Sequence, residues 1–382
     1  MNFNLTEEQL MIRDTARQFA EEELLPGVID RDELEEFPHE QIRKMGELGF
    51  MGMMVPEQWG GSGLDAISYV LAMTEISKID ASAAVVMSVN NSLVCWGLNE
   101  FGSTLQKEKY LKPLASGQKL GAFALSEPNA GSDASNQATV AVRNGENWVI
   151  NGAKNWITNG QNADLYLVFA STDKVNKSHG ISCFVVEKNA PGFSVLKKER
   201  KLGIRGSDTC SLGFTDVVVH QSAMIGKEGD GFRIAMQSLD GGRIGIASQA
   251  LGIAKGALER ALNYSKERKQ FGQEISNFQA IQWKLAEMAM QTDAAELLIM
   301  RAASMKDEHK KYSRESAMCK LYASRNAVQV ALEAIQIHGG YGYVKEYHVE
   351  RMLRDAKITE IYEGTSEVQH IVIARDLIKN GY

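Results

Sequence analysis

From Gly231 to Tyr382 the chain contains no proline, although six prolines lie before that point. A proline inside a helix removes a backbone hydrogen bond and costs about 3 kcal/mol, so a stretch without one permits long uninterrupted helices. Apolar residues recur at helical spacing over roughly Phe232–Arg268, Asn277–Glu308 and Ser313–His338, and a shorter C-terminal helix follows. Such lengths suit a bundle of about four helices.

Between residues 121 and 230 the texture changes. Trp148–Ile150, Ala163–Ala170, Ile181–Glu187, Phe193–Leu196 and Leu212–Val219 are short runs rich in Val, Ile and aromatic residues, separated by turn signals such as Asn144-Gly145 and Asn151-Gly152. With no helix of useful length between them, an antiparallel barrel or sandwich is expected rather than a parallel sheet. Residues 1–120 read as helical. Thr6-Glu7-Glu8-Gln9 is a capping box, with Leu5 and Leu10 at hydrophobic-staple spacing, and its helix should stop at Pro26-Gly27. Further helices are expected at Glu40–Leu48, Ile67–Ile79, Ser82–Glu100 and Thr104–Leu114. A chain of 382 residues exceeds what one core organises, and the expected divisions are 1–120, 121–230 and 231–382.

Several function classes fall away. The net charge of -6 argues against a nucleic-acid binder, which carries a basic face. The opening MNFNLTEEQL is acidic where a signal peptide is basic, and no run approaches the roughly 18–20 apolar residues of a membrane span. Cys95, Cys183, Cys210 and Cys319 lie far apart without a CxxC pair, as expected of reduced core thiols in a cytoplasmic protein. Seven scattered histidines show no metal-ligand spacing, and neither a GxSxG elbow nor a Walker A loop occurs. Gly226-Lys227-Glu228-Gly229-Asp230-Gly231 reverses the dinucleotide-binding order and reads as a strand-to-helix turn.

Four stretches carry more. Phe123–Asp133 (FALSEPNAGSD) combines small residues and turn formers whose N–H groups and hydroxyls could hold a polar ring edge or a phosphate. Trp156–Gly160 (WITNG) sets an indole two residues from a hydroxyl, on one face if the segment is extended. Gln336–Tyr343 (QIHGGYGY) ends a long helix with Gly339, Gly340 and Gly342, two more than capping needs. In Asp355–Gln369 (DAKITEIYEGTSEVQ) a helical pattern breaks at Glu363-Gly364-Thr365, either as a plain terminus or to aim a carboxylate into a cleft.

Together these motifs resemble the acyl-CoA dehydrogenase family of flavoproteins over essentially the whole chain. Phe123–Asp133 resembles the family's first signature, and Gln336–Asp355 its second, with Glu346, Arg351 and Asp355 at the expected spacings. Ser88–Leu93 (SVNNSL) and Leu239–Ala247 (LDGGRIGIA) are similar to its short-chain, butyryl-CoA branch. Asn136 departs from the small residue that normally ends the first signature.

The resemblance implies a mainly helical α+β fold: an N-terminal helical domain, a middle β-barrel and a C-terminal four-helix bundle. It also implies FAD held in a homotetramer whose subunits complete one another's flavin sites, with electrons leaving to electron-transferring flavoprotein. Carried over, Phe123, Leu125, Ser126, Trp156, Ile157 and Thr158 surround the flavin ring, and Ser132 meets cofactor and acyl-CoA. Arg268, Phe271, Gln279 and Gln336 through Gly340, including Gly339, reach a neighbouring subunit's cofactor, and Thr365 and Glu367 contact the cofactor beyond the catalytic loop. Asp240, Gly241, Gly242, Arg243 and Gly364 hold the acyl-CoA, and Glu363 matches the base that removes the α-proton. Gly364 is then expected to leave room for the acyl chain.

Trp96 is a candidate floor for the acyl pocket or an ordinary packing residue, and the absence of arginine between Ser82 and Glu100 leaves a dicarboxylic acyl group without a counter-charge there. Branched, cyclic or aryl substrates, and net operation as an enoyl-CoA reductase, stay open. An acyl-CoA oxidase is distinguished by reoxidation in air, and a non-catalytic flavin or acyl-CoA scaffold by the intact Glu363.

Overall fold

The computed structural model describes residues 4–381; Met1–Phe3, which begin the stretch read as lacking a signal sequence, and Tyr382 lie outside the described residues. The longer helices are α1 (Glu7–Phe19), α2 (Ala66–Ile79), α3 (Ala81–Phe101), α4 (Gly231–Glu267), α5 (Gln279–Asp307), α6 (Ser313–His338), α7 (Val349–Thr359) and α8 (Ser366–Asn380). Their starts are set by local chemistry. Thr6 and Gln9 form the reciprocal capping box on α1, Asp65 accepts from the Ser68 N–H at 2.7 Å, and Asp80 accepts from Ser82 and Ala83 at 2.9 and 3.1 Å. The helical path of α1 continues to Leu24 as a π-turn, and α3 is α-helical at both ends but π-helical over Val89–Cys95. By length and composition α3 could cross a membrane, contrary to the expectation of no such run, but 94% of its apolar window is buried inside the protein. It is a core helix here.

The strands are β1 (Gly121–Ala124), β2 (Val140–Asn144), β3 (Asn147–Thr158), β4 (Leu165–Ser171), β5 (Ile181–Glu187), β6 (Phe193–Lys198), β7 (Thr209–His220) and β8 (Met224–Ile225). They form one sheet in the order β6-β7-β3-β2-β4-β5-β8, with β1 beside β4. The expectation of an antiparallel sheet needs correction: β1 pairs parallel with β4 in full register, and β2 meets β4 through one parallel pair, Val140 with Ser171. β1 and β2 thus share one edge of β4, a long-range pairing that strand patterning does not encode. Along β4, Tyr166, Val168 and Ala170 enter an internal core with Trp148, Phe184, Leu212 and Phe214, the packing of a barrel. The alternate residues Leu165, Leu167 and Phe169 join the core of the helices.

α4 lies at the centre of the bundle, packed on by α2, α5, α6 and α7, and every residue from Gly241 to Ala254 is buried. An ionic cluster ties the three regions together. Arg351 on α7 pairs with Asp355 at 3.1 Å and donates to the Ile79 carbonyl at 2.8 Å, while Asp355 accepts the Ile204 N–H from the β region. Arg354 reaches Asp32 at 2.7 Å. Burial pushes the Asp355 carboxyl up to about 6. Removing one partner strands the other charge, so Arg351→Met is expected to lower unfolding stability by about 3–5 kcal/mol, measured by urea denaturation.

Candidate active site

α7 ends at Thr359 and α8 begins at Ser366, capped by the Thr365 side chain, which accepts from the Val368 N–H. Between them the backbone turns through the left-handed region at Glu363 (φ 50°) and Gly364 (φ 95°). A glutamate in that region costs about 1–2 kcal/mol, so the turn must be held from outside. Lys320 donates to the Gly364 carbonyl at 2.7 Å, and Gln369 donates to the same oxygen at 2.8 Å. The side chain of Glu363 thereby points at α4, where a Cβ on Gly242 would lie 2.1 Å from Oε2 and 2.8 Å from Leu93 Cδ2. Only glycine leaves that space.

Glu363 as a residue is half-buried, but its Oε2 is fully buried and has no hydrogen-bond partner among the described residues. Desolvation raises the carboxyl to about 7, opposed by the charges of Lys320 and Arg243. The carboxylate on α4 beside the site is committed: Asp240 pairs with Arg243 at 2.5 Å and accepts the Ser313 hydroxyl at 2.9 Å.

The wall facing Glu363 comes from the π-segment of α3. Asn90 donates to the carbonyls of Met51 and Leu114 and accepts the Gly121 N–H; Asn91 donates to Phe50 and Met87 and accepts the Met53 N–H. Two buried amides thus pin this widened turn to the start of β1 and to the Phe50–Met53 loop, and they account physically for the Ser88–Leu93 motif. Beyond it, Tyr69, Ser88 and Ser92 make a buried hydroxyl chain. Trp96 packs edge-on against Phe101 at 5.8 Å, and Leu93 is the side chain of this helix that reaches Gly242.

Phe123 and Leu125 are buried in the same core as Leu93 and Tyr362, and Ser126 is half-buried just beyond β1. Asn155 donates its N–H to the Ser126 carbonyl at 2.8 Å, joining the Phe123–Asp133 and Trp156–Gly160 stretches. The expected regular alternation of Trp156 and Thr158 is corrected by a bulge: pairing with β7 shifts between Lys154 and Ile157, and Trp156 has φ 62°. Trp156 is 60% exposed, while Ile157 is buried and Thr158 is half-buried. An uncovered indole beside two half-buried hydroxyls suits a planar ring with polar edges, so these residues fit the isoalloxazine of FAD. Ser132 is exposed on the loop beyond.

A second group lies apart from Glu363. Phe271 sits 94% exposed at the tip of the Lys269–Gln270 and Gln273–Glu274 hairpin, and Gln279, Gln336, Gly339 and Gly340 are exposed at the ends of α5 and α6. Arg268 lies over the Tyr341 ring at 5.3 Å. Of the three glycines, Gly342 is the one packed tightly, against the Ile335 carbonyl, whereas Gly339 and Gly340 face open space. Glu367 is exposed on the first turn of α8. At Gly364 the backbone has φ 95° and a Cβ would lie 2.6 Å from Gln369 Nε2, so the turn itself favours glycine there.

Lys320 and Gln369 are the functional-site neighbours that sequence reasoning passed over. The available signal was a charged residue on the apolar face of a long helix.

Family models for the acyl-CoA dehydrogenase N-terminal, middle and C-terminal domains match residues 6–118, 122–217 and 229–378. The short-chain specific acyl-CoA dehydrogenase of Clostridium acetobutylicum is 50% identical over 379 residues, covering 99% of this chain and 100% of that protein. Butyryl-CoA dehydrogenase of Megasphaera elsdenii superposes with a TM-score of 0.98 at 49% identity over 99% of this chain and 100% of its own. A chain in the solved structure of the electron transferring flavoprotein of Acidaminococcus fermentans, described in connection with flavin-based electron bifurcation, superposes equally well, at 0.98 and 51% identity over both full lengths. The chain belongs to the acyl-CoA dehydrogenase family.

Proposed function

We propose that this protein dehydrogenates a short-chain acyl-CoA of the butyryl-CoA type to the trans-2-enoyl-CoA, with Glu363 as the base. The observation that carries the reading is the unpartnered, buried Glu363 Oε2 against Gly242, with its carboxyl lifted to about 7 by burial. A carboxylate kept from water is a stronger base toward a weakly acidic α-proton. FAD, when bound, supplies the acceptor for the β-hydride and the outlet for electrons to electron-transferring flavoprotein. Ser126 and Thr158 would hold the ring's polar edge, with Phe123, Leu125, Trp156 and Ile157 around it. The Glu363 N–H would stabilise charge on the thioester oxygen; losing one such donor costs about 10²–10³-fold in rate. Asp240 to Arg243, Ser132 and Gly364 would line the acyl-CoA path. Thr365 and Glu367 would meet the cofactor beyond the catalytic loop.

The half-buried Arg268 and the exposed Phe271, Gln279, Gln336, Gly339 and Gly340 would complete the cofactor site of a neighbouring subunit in a homotetramer, with domains divided at 1–120, 121–230 and 231–382. Four buried, unpaired thiols support a cytoplasmic setting. Anaerobic titration with butyryl-CoA should bleach the flavin near one equivalent per subunit; an unbleached spectrum would point to another acyl group or to a reductase. The base must be ionised to act, so reduction should fall about tenfold per pH unit below 7 and level off above it, measured by stopped flow from pH 5 to 9.

A further inference from the structure

We infer that Lys320 is a positioning residue for the reaction: it holds the Glu363–Gly364 turn from α6 and sets the charge environment in which the carboxylate works. The inference rests on the reading of Glu363 as the base. Lys320 is fully buried in the middle of α6, and no carboxylate among the described residues lies within ion-pair distance of it. Its one hydrogen bond is to the Gly364 carbonyl. A buried ammonium is costly, so its place must be explained by what it holds.

One helical turn further along α6, Ser324 donates to the Thr359 carbonyl at 2.8 Å. Residues four apart share a helix face, so Lys320 and Ser324 grip the two ends of the loop, where α7 stops and where the left-handed turn closes. Gln369 completes the hold from α8. The turn is strained at Glu363 and persists because its surroundings over-determine it.

The charge has a second effect. The groups facing Glu363 are Lys320 from α6, Arg243 from α4 with its partner Asp240, Tyr69 from α2 and Tyr362 on the loop itself; Leu93 from α3 is apolar. Arg243 is already paired, which leaves Lys320 as the cation without an acidic partner. Burial lowers its own ammonium to about 8, so it is charged at neutral pH. Without that charge nothing but Arg243 offsets the desolvation of Glu363.

Lys320→Met removes tether and charge; Lys320→Gln removes the charge and keeps an N–H donor toward Gly364. With FAD content measured first, the pH profile of flavin bleaching by butyryl-CoA should move up by about one pH unit in both variants. The rate at high pH should return near that of the parent in Lys320→Gln, and stay about tenfold lower or more in Lys320→Met. The carboxyl infrared band that disappears in Glu363→Gln should titrate at correspondingly higher pH in Lys320→Gln holoenzyme, a readout independent of turnover. Parental profiles in Lys320→Gln, with Glu363→Gln inactive, would overturn the role of Lys320 alone. An active Glu363→Gln would instead remove the base. Loss of FAD or of the fold in Lys320→Gln would make Lys320 merely structural and would also overturn the inference.

Discussion

Glu363→Gln should bind FAD as the parent does and reduce it with butyryl-CoA about 10⁴-fold more slowly, the upper end of what a general base contributes. The large value follows from the surroundings. Gly242 offers no side chain, and Asp240 is held by Arg243 and Ser313, so neither of these α4 positions can take over. The amide is nearly isosteric, and the Gly364 carbonyl keeps Lys320 and Gln369, so the loop should hold its shape. Stability gives an independent check. The parent carboxyl titrates near 7 folded and near about 4.3 unfolded. The folded parent therefore holds its proton more tightly, and it loses stability as pH rises through that window. The glutamine variant escapes this loss, so its thermal midpoint should gain on the parent's between those values and keep the gain above pH 7. Residual bleaching within about tenfold of the parent would remove Glu363 from the mechanism.

Gly242→Ala carries the second large effect. The added methyl would sit 2.1 Å from Glu363 Oε2 and 2.8 Å from Leu93 Cδ2, closer than real contacts allow. Both are the far ends of side chains, so they move while the backbone of α4 stays. A carboxylate displaced by about an ångström costs roughly 10²-fold, and that loss is expected in the rate constant for flavin reduction. Alanine is also the better helix former by about 0.5–1 kcal/mol. Activity should therefore collapse without a matching fall in the urea midpoint. Parental activity would mean that the base works from another position.

What could be read along the chain was what neighbours in sequence decide. The capping box at Thr6, the proline-free helices after Gly231, and the strand signals around β4 and β5 all depend on residues within a few positions. The break at Glu363-Gly364 was visible for the same reason. The left-handed φ of Trp156, the parallel seat of β1 against β4 and the Cβ-free space at Gly242 were not, because each is set by a segment far off in the chain.

The pairing of Lys320 with Gly364 spans 44 positions, and it exists because α6 lies against the α7–α8 loop. Residue types, element order and the presence of an unusual glutamate belonged to the sequence by itself, since local sterics and periodicity determine them. Whether that glutamate's carboxylate stays in water at a helix end or is buried against α4 was decided only by tertiary packing. Desolvation and the nearest charges depend on which helices close around it, and no spacing rule encodes that.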